Sequence, residues 1–217
     1  MEGTIKKEAA GTYEGLVDFC NDNTDKYIHL INLFKAILEV EDKYYSYSTK
    51  HLNGSDAMQE HLERVFAYEL YHQWSILIRD FNNSHNDEDK RVINGEVGKK
   101  LDGYSVCPDM ILHKGQEDTQ HQEIAVEIKR KISLSEDNFL NDMEKLSDML
   151  TDGKLSFGAS PFKFSVFILT GGEESNITSL LNKEKAASIN NNIICIFCHK
   201  KGELDYKSMD EIKKSIK

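Results

Sequence analysis

The apolar residues of this chain change period twice, and the changes divide it into blocks. From about residue 13 to residue 40, Leu16, Val17, Cys20, Tyr27, Leu30, Ile31, Leu33, Phe34, Ile37 and Leu38 recur at spacings of three and four, as on amphipathic helices. The polar residues 21–25 split this run into a short helix and a longer one. Residues 44–54 form a polar connection. A helix over residues 55–79 follows, started by Ser55 and Asp56, with Met58, Leu62, Val65, Phe66, Leu70, Trp74 and Leu77 as its buried stripe. Past a polar loop at 82–90 the period falls to two. Residues 91–99, 104–113 and 122–131 read as three consecutive strands, the last two joined through a polar turn at 115–120. Then the helical period returns. Ser135 caps a helix with an acidic first turn and an apolar stripe of Phe139, Met143, Leu146 and Leu150. A strand over 162–169, a helix over 177–187 and a strand over 192–198 complete the series.

This order of elements predicts an α/β fold with a mixed central sheet of about five strands flanked by helices. A helical N-terminal extension over residues 1–54 would precede a core over residues 55–217. A chain of 217 residues with 39% hydrophobic and 29% charged residues can bury one sizeable core, so the bulk composition agrees with that division.

Composition narrows the surroundings. No run approaches the roughly 18 consecutive apolar residues of a membrane span, and Lys6, Lys7 and Glu8 stand where an export signal would have an apolar centre. A cytoplasmic protein with no membrane partner is expected. Cys20, Cys107, Cys195 and Cys198 are few and unevenly spaced, which suits reduced thiols rather than a disulfide framework. The net charge of −10 argues against broad adhesion to nucleic acid, because phosphate contacts need clustered basic groups. Two local clusters remain, Lys129-Arg130-Lys131 and His199-Lys200-Lys201; each can meet a phosphate or simply end a strand in solvent.

The chemistry concentrates between Val106 and Lys131, where Asp109, Glu127 and Lys129 interrupt otherwise apolar strands. An antiparallel hairpin with Asp109 opposite Glu127 places its midpoint at Asp118, inside the polar turn. Alternation then puts Glu127 and Lys129 on one face and Ile124, Val126 and Ile128 on the other. Magnesium needs hard oxygen ligands, keeps several waters, and is satisfied by one or two carboxylates plus a substrate phosphate. Asp109 and Glu127 can supply the carboxylates, and the main-chain carbonyl of Ile128 a neutral oxygen. Lys129 can position or deprotonate a water, or neutralise charge developing at a phosphate. The bland alternative is a cross-strand ion pair between Asp109 and Lys129, with Glu127 on a solvated face.

Pro108-Asp109 followed after a hairpin by Glu127-Ile128-Lys129 resembles the PD-(D/E)xK motif of the restriction-endonuclease-like nuclease superfamily. The resemblance covers roughly residues 55–199 and leaves the first 50 or so unexplained. It implies a restriction-endonuclease-like core and a nuclease, such as an endonuclease, that hydrolyses phosphodiesters with an activated water, with DNA favoured over RNA. Cleavage would leave a 5′-phosphate and a 3′-hydroxyl. Asp109 and Glu127 would hold Mg2+, with Mn2+ as a substitute, and Lys129 would be the catalytic lysine. Glu69, among apolar neighbours on the preceding helix, would be the added helix carboxylate at the metal, with Glu96 as its competitor. Asp142 and Lys145 point away from the apolar stripe of their helix, at positions where members carry polar site residues, although a solvated helix face is the stronger reading for both.

The rival expectation is a nuclease-like module without turnover that binds nucleic acid or protein. In either case the N-terminal helices would offer a surface for a protein partner or a homodimer. Other motifs carry less. Cys195-Ile-Phe-Cys198-His199 matches a haem-attachment string of exported proteins, but alternation along a strand sends the two thiols to opposite faces. His51, His61, His72, His113 and His121 show no metal-ligand spacing, and Gly171-Gly172 lacks the rest of a phosphate loop.

Overall fold

Ile124, Val126 and Ile128 alternate with Ala125, Glu127 and Lys129, and helices cover both sets, which is the pattern of a strand in the middle of three layers. The computed structural model of the chain describes residues 1–8, 11–20, 24–45, 56–95, 108–115, 118–151 and 160–216. Their strands are β1 (Glu2–Lys7), β2 (Tyr13–Glu14), β3 (Val92–Gly95), β4 (Met110–Gly115), β5 (Asp118–Arg130), β6 (Phe164–Thr170), β7 (Ile194–Lys200) and β8 (Glu203–Ser208). All join one mixed sheet of order β2-β1-β8-β7-β6-β5-β4-β3. Strands β5, β6 and β7 are mutually parallel, and every other neighbouring pair is antiparallel. One face packs on α1 (Leu16–Cys20), α2 (Thr24–Glu39), α3 (Asp42–Tyr45) and α4 (Asp56–Ser84). The other packs on α5 (Glu136–Met149), α6 (Glu174–Thr178), α7 (Lys183–Ser188) and α8 (Met209–Ser215).

The sheet is wider than the expected five strands. β8 alternates Leu204 and Tyr206, both buried, with polar residues, and reaches β7 through a tight turn at Gly202, whose φ of +77° suits glycine. That alternation is short and easily read as a polar tail. β1 buries little besides Ile5, so its apolar pattern is a single residue, and its place depends on pairing with β8. The expected helical extension over residues 1–54 is therefore partly strand. Its long helix, α2, buries Leu30, Leu33, Phe34, Ala36 and Ile37 completely against the sheet and α4. The apolar face of α2 expected to dock a partner is thus packed within the chain.

Two further boundaries shift. α4 is longer than expected, and its buried stripe runs Phe66, Leu70, Trp74, Ile78 with Leu77 packed beside it, while Val65 is exposed. The helix expected over residues 177–187 is two short ones, because Asn182 caps the second with a side-chain bond from the Lys185 N–H. Cys195 and Cys198 are buried thiols on opposite faces of the sheet. Among the described residues, no helix is long and apolar enough to cross a membrane.

Candidate active site

The β4–β5 ladder sets the geometry. Met110 pairs with Val126, Ile111 with Ala125 and Leu112 with Ile124, so the same register carried outward sets Asp109 against Glu127, as expected. Nearer the turn the register slips twice, at His113 and at Gly115, so β5 starts at Asp118 and the turn precedes it. A bulge absorbed on one strand explains how the site's register is right and the turn's position is not. Residues 116–117, at the turn itself, lie outside the described residues.

Asp109 stands one residue before β4, where that strand leaves the sheet. Its Oδ2 accepts the main-chain N–H of Ile128 at 2.7 Å, closing the ladder with a side chain. The register sets Pro108 opposite Ile128, and proline has no N–H to offer the Ile128 carbonyl. The strand end thereby combines a carboxylate with a main-chain oxygen that cannot receive that ladder bond.

Glu127 is 1% exposed and faces α5. From that helix Lys145 Nζ donates to Glu127 Oε1 at 3.0 Å and to Asp142 Oδ1 at 2.8 Å. Lys129 Nζ lies 3.5 Å from Asp142 Oδ2 and 3.3 Å from Glu63 Oε1 of α4. Asp142 Oδ2 is buried without a hydrogen-bond partner and has Lys129 Nζ at 3.5 Å as an ion-pair contact. Glu63 also accepts from the Arg130 N–H at 3.4 Å and from Ser133 Oγ at 3.1 Å, fastening α4 to the end of β5. Four carboxyl groups thus surround two ammonium groups at the C-terminal end of a parallel strand, the usual place for a ligand site in such sheets.

Burial, reinforced by the charges of Asp109 and Asp142, pushes the Glu127 carboxyl up to about 8, against the pull of Lys145. Burial also raises Asp109, partly offset by the Ile128 N–H, by Lys129 and by a hydrogen bond from Glu127. At neutral pH the pair therefore keeps a proton on Glu127. Burial alone would depress Lys129, but Glu63, Asp142, Asp109 and Glu127 outweigh it and hold the ammonium well above the usual lysine range. Lys129 is consequently a fixed cation here and not a base.

The expected residues do not all meet. Asp109, Glu127, the Ile128 main chain and Lys129 converge. Glu69 instead accepts from Gln73, one turn further along its own helix, at 2.7 Å. Glu63 takes the place expected of it beside Lys129. The reason is angular: positions 63, 66, 70 and 74 share the buried face of α4, whereas position 69 lies about 100° from Leu70. A carboxylate in line with Phe66, Leu70 and Trp74 was the available signal. Glu96 lies outside the described residues. Asp142, 3% exposed, is not on a solvated face, since it falls between Phe139 and Leu146 on the buried stripe of α5.

Among the described residues, no three His, Cys, Asp or Glu side chains form a group able to hold a metal ion. The acidic groups are gathered around lysines instead. Asp109 and Glu127, with the Ile128 carbonyl beside them, are a smaller set of oxygen donors of the kind magnesium takes. The fold and site together define an α/β sandwich with a buried carboxylate–lysine cluster at a strand end. Compared with known proteins, the chain has no significant match to a family model, a curated protein or a solved structure.

Proposed function

We propose that this chain is a metal-dependent nuclease of the PD-(D/E)xK type, cleaving phosphodiester bonds in nucleic acid, with DNA favoured. The observation that carries the reading is the convergence of Asp109, Glu127 and Lys129 at the end of β5, where Asp109 accepts the Ile128 N–H at 2.7 Å and burial, with Asp109 and Asp142, raises the Glu127 carboxyl. An acidic pair whose ionised form is disfavoured chiefly by burial gains from a divalent cation that compensates its charge. The order α4-β3-β4-β5-α5-β6, with the acidic residues on β5 and just before β4, supports a restriction-endonuclease-like core.

In this reading Asp109, Glu127 and the Ile128 carbonyl would hold Mg2+ or Mn2+, which when bound would supply Lewis acidity. The chain's own groups do the rest. Lys129, kept protonated by its carboxylates, sets a cation where negative charge grows on the phosphate. Asp142 orients Lys129 and Lys145, and Lys145 stabilises the ionised form of Glu127. Glu63 fixes the end of β5, holding the Lys129 ammonium in place.

Cleavage of plasmid and oligonucleotide DNA with and without Mg2+ tests the proposal on wild type, Asp109→Ala and Lys129→Ala. Metal-dependent cleavage by the wild type alone is expected. Equal cleavage by all three proteins would overturn it.

A further inference from the structure

Lys145 is the cation through which the cluster at the end of β5 meets solvent. Its side chain is 34% exposed, against 18% for Lys129, which is closed in between Glu63 of α4 and Asp142 of α5. An ammonium carries three N–H donors. Lys145 Nζ directs one to Glu127 Oε1 at 3.0 Å and one to Asp142 Oδ1 at 2.8 Å, and among the described residues it makes no third bond.

The two bonds differ in kind. Asp142 lies three residues before Lys145 on α5, so that contact belongs to the helix and persists with it. Glu127 is on β5, and its Oε1 belongs to the carboxyl proposed to hold a divalent cation with Asp109. A divalent cation and an ammonium on one buried carboxyl repel each other where little water screens them. The bond to Glu127 is therefore the one that yields, while Asp142 retains the ammonium at the edge of the site. Asp142 also has Lys129 at 3.5 Å from its second oxygen, so one carboxylate holds both lysines side by side. Groups set on the two oxygens of a carboxylate are placed for the oxygens of a phosphate, whose geometry is similar.

We propose that Lys145 is a phosphate-binding residue: it leaves Glu127 when a divalent cation engages that carboxyl, pivots on Asp142, and donates to a non-bridging oxygen of the substrate phosphate. The inference rests on the proposed metal-dependent phosphodiester site and adds to it a residue and an order of events. With Glu127 and Asp142 both held, Lys145 has one N–H to offer; released from Glu127, it has two. Cation and phosphate therefore bind cooperatively, and Lys145 is one of the links.

The phosphorus NMR resonance of thymidine 5′-monophosphate, which has no diester to cleave, reads binding to the full chain with Mg2+ and with a chelator. With Mg2+, Lys145→Gln should bind the nucleotide about tenfold more weakly than the wild type, the loss of one charge-assisted hydrogen bond. In chelator the two proteins should bind alike, because there the ammonium sits on Glu127. Lys145→Arg keeps the cation and should restore most of the Mg2+-dependent affinity. Equal binding by wild type and Lys145→Gln with Mg2+, an equal loss with and without Mg2+, or no binding by the wild type would each overturn the proposal. Failure of Lys145→Gln to fold would assign the ammonium to the fold and overturn it too. Mg2+-dependent nucleotide binding through Lys145, without DNA cleavage by the wild type, would keep the phosphate site and remove the nuclease reading. Cleavage that needs Asp109 and Lys129, with nucleotide binding indifferent to Lys145→Gln, would do the reverse.

Discussion

Two glutamates of β5, four residues apart and both almost fully buried, have opposite electrostatics. Glu123 accepts from Arg91 Nε at 2.9 Å and from Lys163 Nζ at 2.9 Å, and His29 lies nearby. Burial would raise its carboxyl, but Lys163, Arg91 and His29 bring it below the ordinary range. Arg91 is further held by paired hydrogen bonds with Asn82, at 2.8 and 2.9 Å, which lock the end of α4 to the start of β3. Glu127 faces the other arrangement, in which carboxyls outnumber ammonium groups and its own is pushed up to about 8. The first cluster is complete and serves the fold. The second leaves its buried glutamate short of opposite charge, and perturbed carboxyls of that kind support the function proposed for it.

The contrast can be broken at several points. The largest effect is expected at the site: Asp109→Ala and Glu127→Gln should each lower Mg2+-dependent cleavage by about a thousandfold or more, read as initial rates on plasmid DNA. Calorimetric titration with Mn2+ should show heat for the wild type and none for either variant. If Glu123→Gln abolished cleavage just as fully, the division between the two clusters would fail.

Stability should respond at the opposite end. Glu123→Ala leaves Arg91 buried without its acid and should cost about 3 kcal/mol in urea unfolding. Glu127→Gln should behave in reverse. Because the folded carboxyl titrates near 8 and the unfolded one near 4.5, the native state binds the extra proton between those values, and wild-type stability falls as pH rises through that window. The glutamine variant lacks this loss. Its advantage should open above about pH 4.5, reach the order of 2 kcal/mol and level off beyond about pH 8, allowing for relaxation around the buried group. Identical pH profiles of melting temperature for the two proteins would contradict the raised carboxyl. Glu123, depressed in the folded state, contributes stability that is present above the unfolded value and lost only as pH falls below it. The smallest change is expected for Lys163→Ala: its ammonium is more than half exposed and Arg91 remains, so less than about 1 kcal/mol should be lost.

The sequence placed much of this in view. Charges set in apolar strands located Asp109, Glu127 and Lys129, and counting residues across the hairpin recovered their register. The same reasoning placed Asp142 and Lys145 on a solvated face because it followed Phe139, Met143 and Leu146 as a line, when the buried stripe of α5 is wide enough to include Asp142. It chose Glu69 for its apolar neighbours in sequence, although neighbours in sequence point to different sides of a helix. β1 stayed hidden because one buried isoleucine has no period.

What the sequence determined by itself is local: which segments alternate at two or at three to four, where caps stop a helix, and which charged residues interrupt apolar strands. These are properties of the chain within a few residues, and short-range sterics and burial fix them. Only the tertiary structure decided that α2 lies inside the core, that β1 closes onto β8, and that Glu63, Asp142 and Lys145 join the triad from two helices on opposite faces of the sheet. Those choices bring together groups as far apart in the chain as Glu2 and Lys207, which pair across β1 and β8. A local period can put Glu63 or Asp142 on a buried helix face, but which strand that face meets depends on how the sheet is covered as a whole.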